Sequence, residues 1–516
     1  MSDIHHTLND YEADEDPVPN TIIESDLKQY NIDSLINLAG GFGKMQWWIM
    51  FFAFTSNQGF CYFSENFAYL ELVPSILCKY HQDDQFVKCH DFKDIWASNK
   101  VYEWKVDYSD PYSFHNWMTD HELYCKSDFA IGMFGSMYFI GFGFMGLLLK
   151  FGDVFGRKKI IFVGCLLQMW LLVAIYLTTD YRSYYVMWFL GGLFYAKEMM
   201  IYVYALEIVP DKYQVYVVGY IMSLVTVVSH VNESLYFYFG GKSWKIGFAP
   251  SLVLTFLSIF LCFLIPESPR YLYSKKDWSG LQQNLNTIAT FNGIDTFRHR
   301  EDYSINKQEK RLLTSEDGTT SANSNRNPQE YSVLAALRDR NTFINLVVIV
   351  TWFSIVSFNY FLVGFYLKYL GGSIYMNTLA SAMSDLIGNF VICYIQKCFG
   401  TKNSIFMCFA LSAVFAVPLL FCTQSYQIAI WVFLSKVVCE GAFCLSYFLS
   451  SEYFDPLFVP FSLSICSFWT RFIATAAPQV AEVKPRQVPI IVYLGISSIA
   501  AVSALFLVKP KKSEAS

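Results

Sequence analysis

"FMGLLLKFGDVFGRKKIIFVG", residues 144–164, places Lys150, Asp153, Arg157, Lys158 and Lys159 between two apolar runs. An apolar helix needs about 20 residues to cross the hydrocarbon of a bilayer. Both flanks are long enough to be parts of such helices. A charged reversal between them must stay at the membrane surface, and Gly152 and Gly156 permit a tight backbone turn. Basic residues at membrane ends hold their side toward the cytoplasm. That accounts for the lysines and Arg157, but not for the aspartate among them.

The rest of the chain fits this setting. Of its 516 residues, 54% are hydrophobic, 18% aromatic and only 16% charged. Soluble domains carry about 25% charged residues, so the deficit points to a membrane protein. Apolar runs fall near 46–70, 129–150, 159–178, 184–206, 214–237, 246–265, 341–363, 374–396, 403–422, 427–449, 461–480 and 488–508. These predict an all-α membrane protein with about twelve spans, divided six and six by a polar stretch. Lys150, Arg157, Lys158 and Lys159 follow the second run, Lys397 and Lys402 the eighth, and Lys509, Lys511 and Lys512 the twelfth. Alternating spans put all three clusters on one side, the cytoplasmic one.

The expected organisation follows. Residues 1–42 form a cytoplasmic tail and 43–265 a helical bundle with an external loop at 74–127. Residues 266–340 form a cytoplasmic linker, 341–508 a second bundle and 509–516 a short cytoplasmic tail. The acidic leader "MSDIHHTLNDYEADEDPVPN" has neither the pattern of a secretory signal nor that of a transit peptide. In the linker, "TSEDGTTSANSNRNPQE" has a disordered composition, and "YSVLAALRDR" is expected as a helix along the membrane face.

A net charge of −5 gives no reason to expect a nucleic-acid partner. The histidines and cysteines of the external loop follow no metal-ligand spacing, and the chain holds no GxxxxGK[ST] phosphate loop. No metal, no cofactor and no enzyme activity is expected. Nine of the thirteen cysteines lie in apolar runs and Cys398 just after the eighth, whereas Cys78, Cys89 and Cys125 share the external loop. An odd number there allows one disulfide and one leftover thiol, with the pairing open.

A charge at bilayer centre costs about 2.5–3.5 kcal/mol on insertion scales, so a retained one is a functional candidate. Lys197 and Glu198 sit near the middle of the fourth run, where adjacency turns them in different directions. Lys436 and Glu440 lie one helical turn apart in the tenth and are expected either to pair locally or to face a cavity. Arg471 is embedded in the eleventh, with no acid one turn away; a guanidinium suits bidentate carboxylate recognition. Asp385 falls in the eighth run, and Glu233 in the fifth beside His230 and Asn232. Asn57 and Gln58 sit beside Gly59 near mid-depth of the first.

The residue order of the opening turn resembles the D-R-x-G-R-R turn of the major facilitator superfamily. "GGFGKMQ" (40–46), "HELYC" (121–125), "PESPRYL" (266–272), "LGGSIYMNTLASAMSDLIG" (370–388) and "LSSEYFDP" (449–456) narrow the resemblance to the organic cation, anion and carnitine transporters, solute carrier family 22. It covers roughly residues 35 to 508. The resemblance implies two six-helix bundles around a substrate cavity at mid-depth, and transport by alternating access. It further implies that Arg471 stands where the anion and carnitine branches have Arg, that Lys436 matches a basic residue and Asp385 an acidic one, and that Tyr360 and Phe361 are the family's aromatic pair.

The chain also departs from the pattern. Val154 replaces the Arg after Asp153, Trp188 stands where a partner Arg is expected in the fourth span, and "QKCFGTKN" puts Lys397 in the place of an Asp. Asp153, Arg157, Glu207, Glu267, Arg270 and Glu452 remain as members of a thinned cytoplasmic gate. The expected function is secondary transport of small organic anions or zwitterions through the lipid bilayer, at the plasma membrane in preference to an organelle. Arg471, Lys436 and Lys197 would meet the acid group. Tyr360, Phe361, Gln58 and Asn57 would line the cavity, and Asp385, Glu440 or Glu198 would take a cationic end or a proton. Two other readings stand beside it: a transporter-like subunit of a membrane complex, without turnover and with protein partners, and an organic cation transporter.

Overall fold

The computed structural model describes residues 31–82, 85–89, 92, 101–294, 337–454 and 458–508. Each of the apolar runs read from the sequence lies on helix. In the first half these are α2 (Lys44–Glu65) with the short α3 (Phe67–Leu70), α5 (Asp128–Phe144) with α6 (Gly146–Phe155), α7 (Arg157–Leu177), α8 (Tyr181–Glu207), α9 (Asp211–Tyr238), and α10 (Trp244–Gly247) with α11 (Ala249–Leu264). In the second half they are α14 (Arg340–Tyr366), α15 (Ile374–Phe399), α16 (Thr401–Ala416), α17 (Ser425–Tyr453), α18 (Val459–Ala474) with α19 (Ala477–Ala481), and α20 (Val488–Ser503). Six helical stretches are long and apolar enough by themselves to cross a membrane, and a seventh if the pair α5 and α6, bent by 40°, is one span. The others hold polar residues turned inward: Thr55, Ser56, Asn57 and Gln58 of α2 are all buried. Burial against neighbouring helices keeps those groups out of lipid.

The helices form two bundles. Small residues set the closest approach in the first, where α5 and α8 touch backbone to backbone. A Cβ on Gly141 would stand 1.9 Å from the Phe189 carbonyl oxygen, and one on Gly192 1.9 Å from that of Tyr138. The bundles meet where α5 packs on α18 and α19, and α9 on α15. Ser136 donates to the Thr475 carbonyl across this seam at 2.9 Å.

Between α3 and α5 the chain forms a small layer of its own. Strand β1 (Ile76–Lys79) pairs antiparallel with β2 (Val87–Lys88) and β3 (Glu103–Val106). The disulfide joins Cys78 to Cys89 and leaves Cys125 as the thiol. The helical turn α4 (Trp117–Asp120) ties this layer to the first bundle: Trp244 Nε1 donates to Asp120 at 2.8 Å, and Asn116 donates to the carbonyls of Tyr69 and Leu72 at 2.9 Å.

On the opposite face α1 (Ile32–Leu38), α12 (Pro269–Ser274) and α13 (Trp278–Asn292) form a cap. Asn292 accepts from the Met45 amide at 2.8 Å and donates to the Ala39 carbonyl at 2.9 Å. Gly40 and Gly41 take positive φ (108° and 54°), and a Cβ on Gly40 would come within 2.7 Å of Asn292. The "GGFG" entry is thus a turn fitted to that asparagine. The polar leader up to residue 30, the stretch "TSEDGTTSANSNRNPQE", most of "YSVLAALRDR" and residues 509–516 lie outside the described residues.

Candidate functional site

Three helices of the second bundle bring Tyr360, Asp385 and Lys436 together. Lys436 Nζ lies 3.2 Å from Asp385 Oδ1, donates to Ser381 at 2.7 Å and stands 4.1 Å above the Tyr360 ring. Tyr360 donates to the other Asp385 oxygen at 3.1 Å. Lys436 and Asp385 are buried, so their pairing offsets a desolvation cost that neither could bear alone. Lys436 therefore bonds across to α15. Glu440, one turn on, packs its Cβ against α15 where a Cβ on Gly388 would meet it at 3.0 Å. Glu65, at the end of α2 in the first bundle, is within electrostatic range of Lys436, Asp385 and Glu198.

Arg471 stands differently. Its guanidinium carbon lies 3.7 Å from the centre of the Phe142 ring, on α5 of the other bundle. Its Nε is buried without a hydrogen-bond partner, and its electrostatic neighbours are the hydroxyls of Tyr138, Tyr195 and Tyr447. Among the described residues no carboxylate lies within 4.0 Å of it. The cation–π contact offsets part of its desolvation. A full positive charge at the seam between the bundles, with a free donor, can receive an anion.

Lys197 and Glu198 diverge as their adjacency requires. Lys197 Nζ donates to the Ser56 carbonyl at 2.6 Å and to Gln168 at 2.5 Å, inside the first bundle. Glu198 stands within electrostatic range of Tyr138, Tyr195 and Glu65. Gln58 donates to the Val225 carbonyl at 2.8 Å and fastens α2 to α9, while Asn57 beside it is buried with its carbonyl unpartnered. Phe361 crosses the seam to Phe139, with ring centres 4.5 Å apart. Of the sequence candidates, Tyr360, Asp385 and Lys436 form one cluster, Arg471 and Glu198 lie near a shared set of tyrosines, and Lys197 and Gln58 act within the first bundle.

The charged turn is a network. Arg157 binds Asp153 at 2.7 Å and Glu207 at 2.9 Å, and its guanidinium lies over Tyr271 at 5.2 Å. Glu267 accepts the amides of Arg157 and Lys158, each at 3.0 Å, at the positive end of α7. Arg270 instead binds Asp33 at 2.5 Å and Asp211 at 2.8 Å, both absent from the sequence candidates. Glu452 is exposed at the end of α17. Trp188 is fully buried in aromatic packing, 4.3 Å from Phe67, several turns from this network on the same helix as Glu207.

A second network, at the end of the bundles that carries the β1–β3 layer, escaped the sequence reading. Lys368 Nζ lies 2.6 Å from Glu71 and 2.6 Å from Glu482, with all three side chains at most 3% exposed. Glu71 belongs to the first bundle; Lys368 and Glu482 belong to the second. Tyr369 donates to Glu482, and Arg486 lies 3.4 Å over the Tyr369 ring. Glu71 lies just beyond α3, where burial raises its carboxyl to about 7 against the opposing pull of Lys368. These contacts tie the two bundles together at that end. The members of this latch sit in short connections that no periodicity links, and only their bundled geometry reveals the pairing.

Residues 92–382 match the model of the family described as "Sugar (and other) transporter". The chain is 20% identical to human "Organic cation/carnitine transporter 2" over 76% of its own length and 68% of that protein's. It is 23% identical to "Solute carrier family 22 member 16" of Xenopus laevis over 70% of its own length and 62% of that protein's. A third relative, "Synaptic vesicle 2-related protein" of Xenopus laevis, is 25% identical over 27% of this chain and 26% of its own. Other matched relatives are covered over only 26% and 35% of their lengths. In fold the chain is similar to the xylose transporter XylE from E. coli in a partially occluded inward open conformation. That likeness has a TM-score of 0.54 at 13% identity and covers 94% of this chain and 99% of that one.

Proposed function

The chain belongs to the sugar (and other) transporter family, as a divergent major facilitator related to the organic cation and carnitine transporters, and on that premise we propose that it moves small organic anions or zwitterions by alternating access. The observation that carries the reading is Arg471: a guanidinium at the seam between the bundles, free of any described carboxylate, with an unpartnered buried Nε. A substrate carboxylate would supply the missing acceptor. Lys436 is occupied by Asp385 and serves better as a relay that lets go when a second charged group enters. Glu65 and Glu198 would attract the cationic end of a zwitterion.

The closed external latch and the likeness to an inward open transporter fit a state that faces the side carrying the Arg157 turn. The clustering of basic residues argues that this side is the cytoplasm and that both termini lie there. The plasma membrane is the proposed site. A vesicle membrane is the competing one, given the vesicle protein among the relatives.

Uptake into proteoliposomes tests the reading. Arg471→Asp should lower uptake of organic acids by about tenfold to a hundredfold, the worth of a charge-assisted hydrogen bond. Unchanged uptake would refute the role of Arg471. A second reading, a partner-bound subunit without turnover, is favoured by the exposed Lys397, where an Asp is expected, and by the exposed Glu452. Co-purification with one fixed protein at constant ratio, together with no substrate-induced stabilisation, would establish it instead.

A further inference from the structure

Beside the Arg157 turn, and outside the seam, lies a cavity of about 620 Å³ between the start of α7 and the segment after α11. Its walls are of two kinds. Phe155 and Phe263 are 56% and 62% exposed on a surface that a multi-pass protein gives to lipid tails, and Phe162 packs at 5.0 Å from Phe263. Lys158, Lys159 and Tyr271 line it too. An open pocket that combines exposed phenylalanines with lysines of a membrane-surface turn has the profile of a phospholipid site.

The charges in the wall decide which kind. Glu267 and Asp277 also line the cavity, and each holds one oxygen in hydrogen bonds with nearby groups. Glu267 accepts the amides of Arg157, Lys158 and Ser268 at 3.0 Å. Asp277 accepts the Gly280 amide at 3.0 Å and the Ser279 hydroxyl at 3.2 Å. Among the described residues neither forms an ion pair with a lysine. Lys158 Nζ reaches only the Phe263 carbonyl, at 3.3 Å, and Lys159 is exposed with no ion-pair partner among the described residues. A third cation, Lys275, stands 5.8 Å over the Tyr271 ring. Among the described residues Lys158 and Lys159 thus form no ion pair with either carboxylate, and their ammoniums keep donors for a phosphate. Basic pockets at the cytoplasmic surface of helix bundles suit anionic headgroups, and that leaflet is the anionic one.

We propose that this cavity binds one anionic phospholipid, with its phosphate shared by Lys158 and Lys159 and an acyl chain along Phe155, Phe162 and Phe263. The site ties a lipid to the turn that joins the second and third spans, independently of what the central cavity carries.

Native mass spectrometry and thermal unfolding of the full chain in nanodiscs test it. Phosphatidylglycerol nanodiscs should stabilise the wild type over phosphatidylcholine, and one phosphatidylglycerol should survive stepwise delipidation. Lys158→Gln with Lys159→Gln should weaken that retention about thirtyfold, at roughly the worth of two surface lysines. Lys158→Arg with Lys159→Arg should restore it. Lys212→Gln with Lys397→Gln, which removes two cations elsewhere on the same face, should leave it unchanged. An equal loss in that last variant, or full retention in the first, overturns the site. Stabilisation of phosphatidylcholine nanodiscs by inorganic phosphate alone, to the same extent, overturns the lipid in favour of a free anion.

Discussion

Arg471 and Lys436 carry the same charge in opposite circumstances. Lys436 has a carboxylate, a hydroxyl and an aromatic face, and Arg471 has only rings and hydroxyls. Residue types were enough to mark both, because a charge within an apolar run is conspicuous. Which of them was already paired was not legible, since Asp385 lies 51 residues from Lys436 in the chain. The same blindness hid Lys368, which sits 297 residues from Glu71. Lys368→Met should leave two buried carboxylates facing each other. The closed form should then lose about 3–5 kcal/mol, seen as a lower unfolding temperature and as wider label distances across the external end. Replacing Lys368, Glu71 and Glu482 together with apolar residues should recover most of that loss. A single variant as stable and as closed as the wild type would contradict the latch.

Helices were the most legible elements, because apolar runs of spanning length have few other solutions in a bilayer. How they approach was less so. Gly141 and Gly192 read as ordinary glycines until each is seen against a carbonyl of the facing helix. Gly141→Val should therefore force α5 and α8 apart and cost about 3 kcal/mol or more, measured as loss of folded protein on size-exclusion chromatography. Gly146→Val, which has nothing within 4 Å, is the matched control and should be tolerated far better. The turn between α6 and α7 was legible as an anchor from its charges. Its bonds to Glu207 and Glu267 were suggested only by resemblance, and those of Arg270 to Asp33 and Asp211 by nothing in the sequence.

Across the whole molecule, the latch of Lys368, Glu71 and Glu482 should couple closure to pH. The Glu71 carboxyl is raised to about 7 by burial in the closed form and returns toward its ordinary value near 4.5 when solvated. The closed form then binds more protons between those values. Closure is favoured fully below about 4.5 and loses that support as external pH rises through about 7. The facing groups are Lys368, Glu482, Tyr369 and Arg486. Raising external pH from 5 to 8 should widen the external end in double electron–electron resonance, and Glu71→Gln should flatten the response. A response of equal size in Glu71→Gln would assign it to another group.

The division into two bundles, visible as a polar stretch between runs of apolar sequence, is what places Arg471 at a seam. The account rests on that placement. Thermal unfolding of the purified full chain against organic acids, carnitine-like zwitterions and quaternary amines tests it most directly. Carboxylate-bearing compounds should raise the unfolding temperature of the wild type, and Arg471→Asp should abolish the rise while leaving the ligand-free midpoint within a few degrees. Stabilisation by quaternary amines alone, or a carboxylate response that survives in Arg471→Asp, would contradict it.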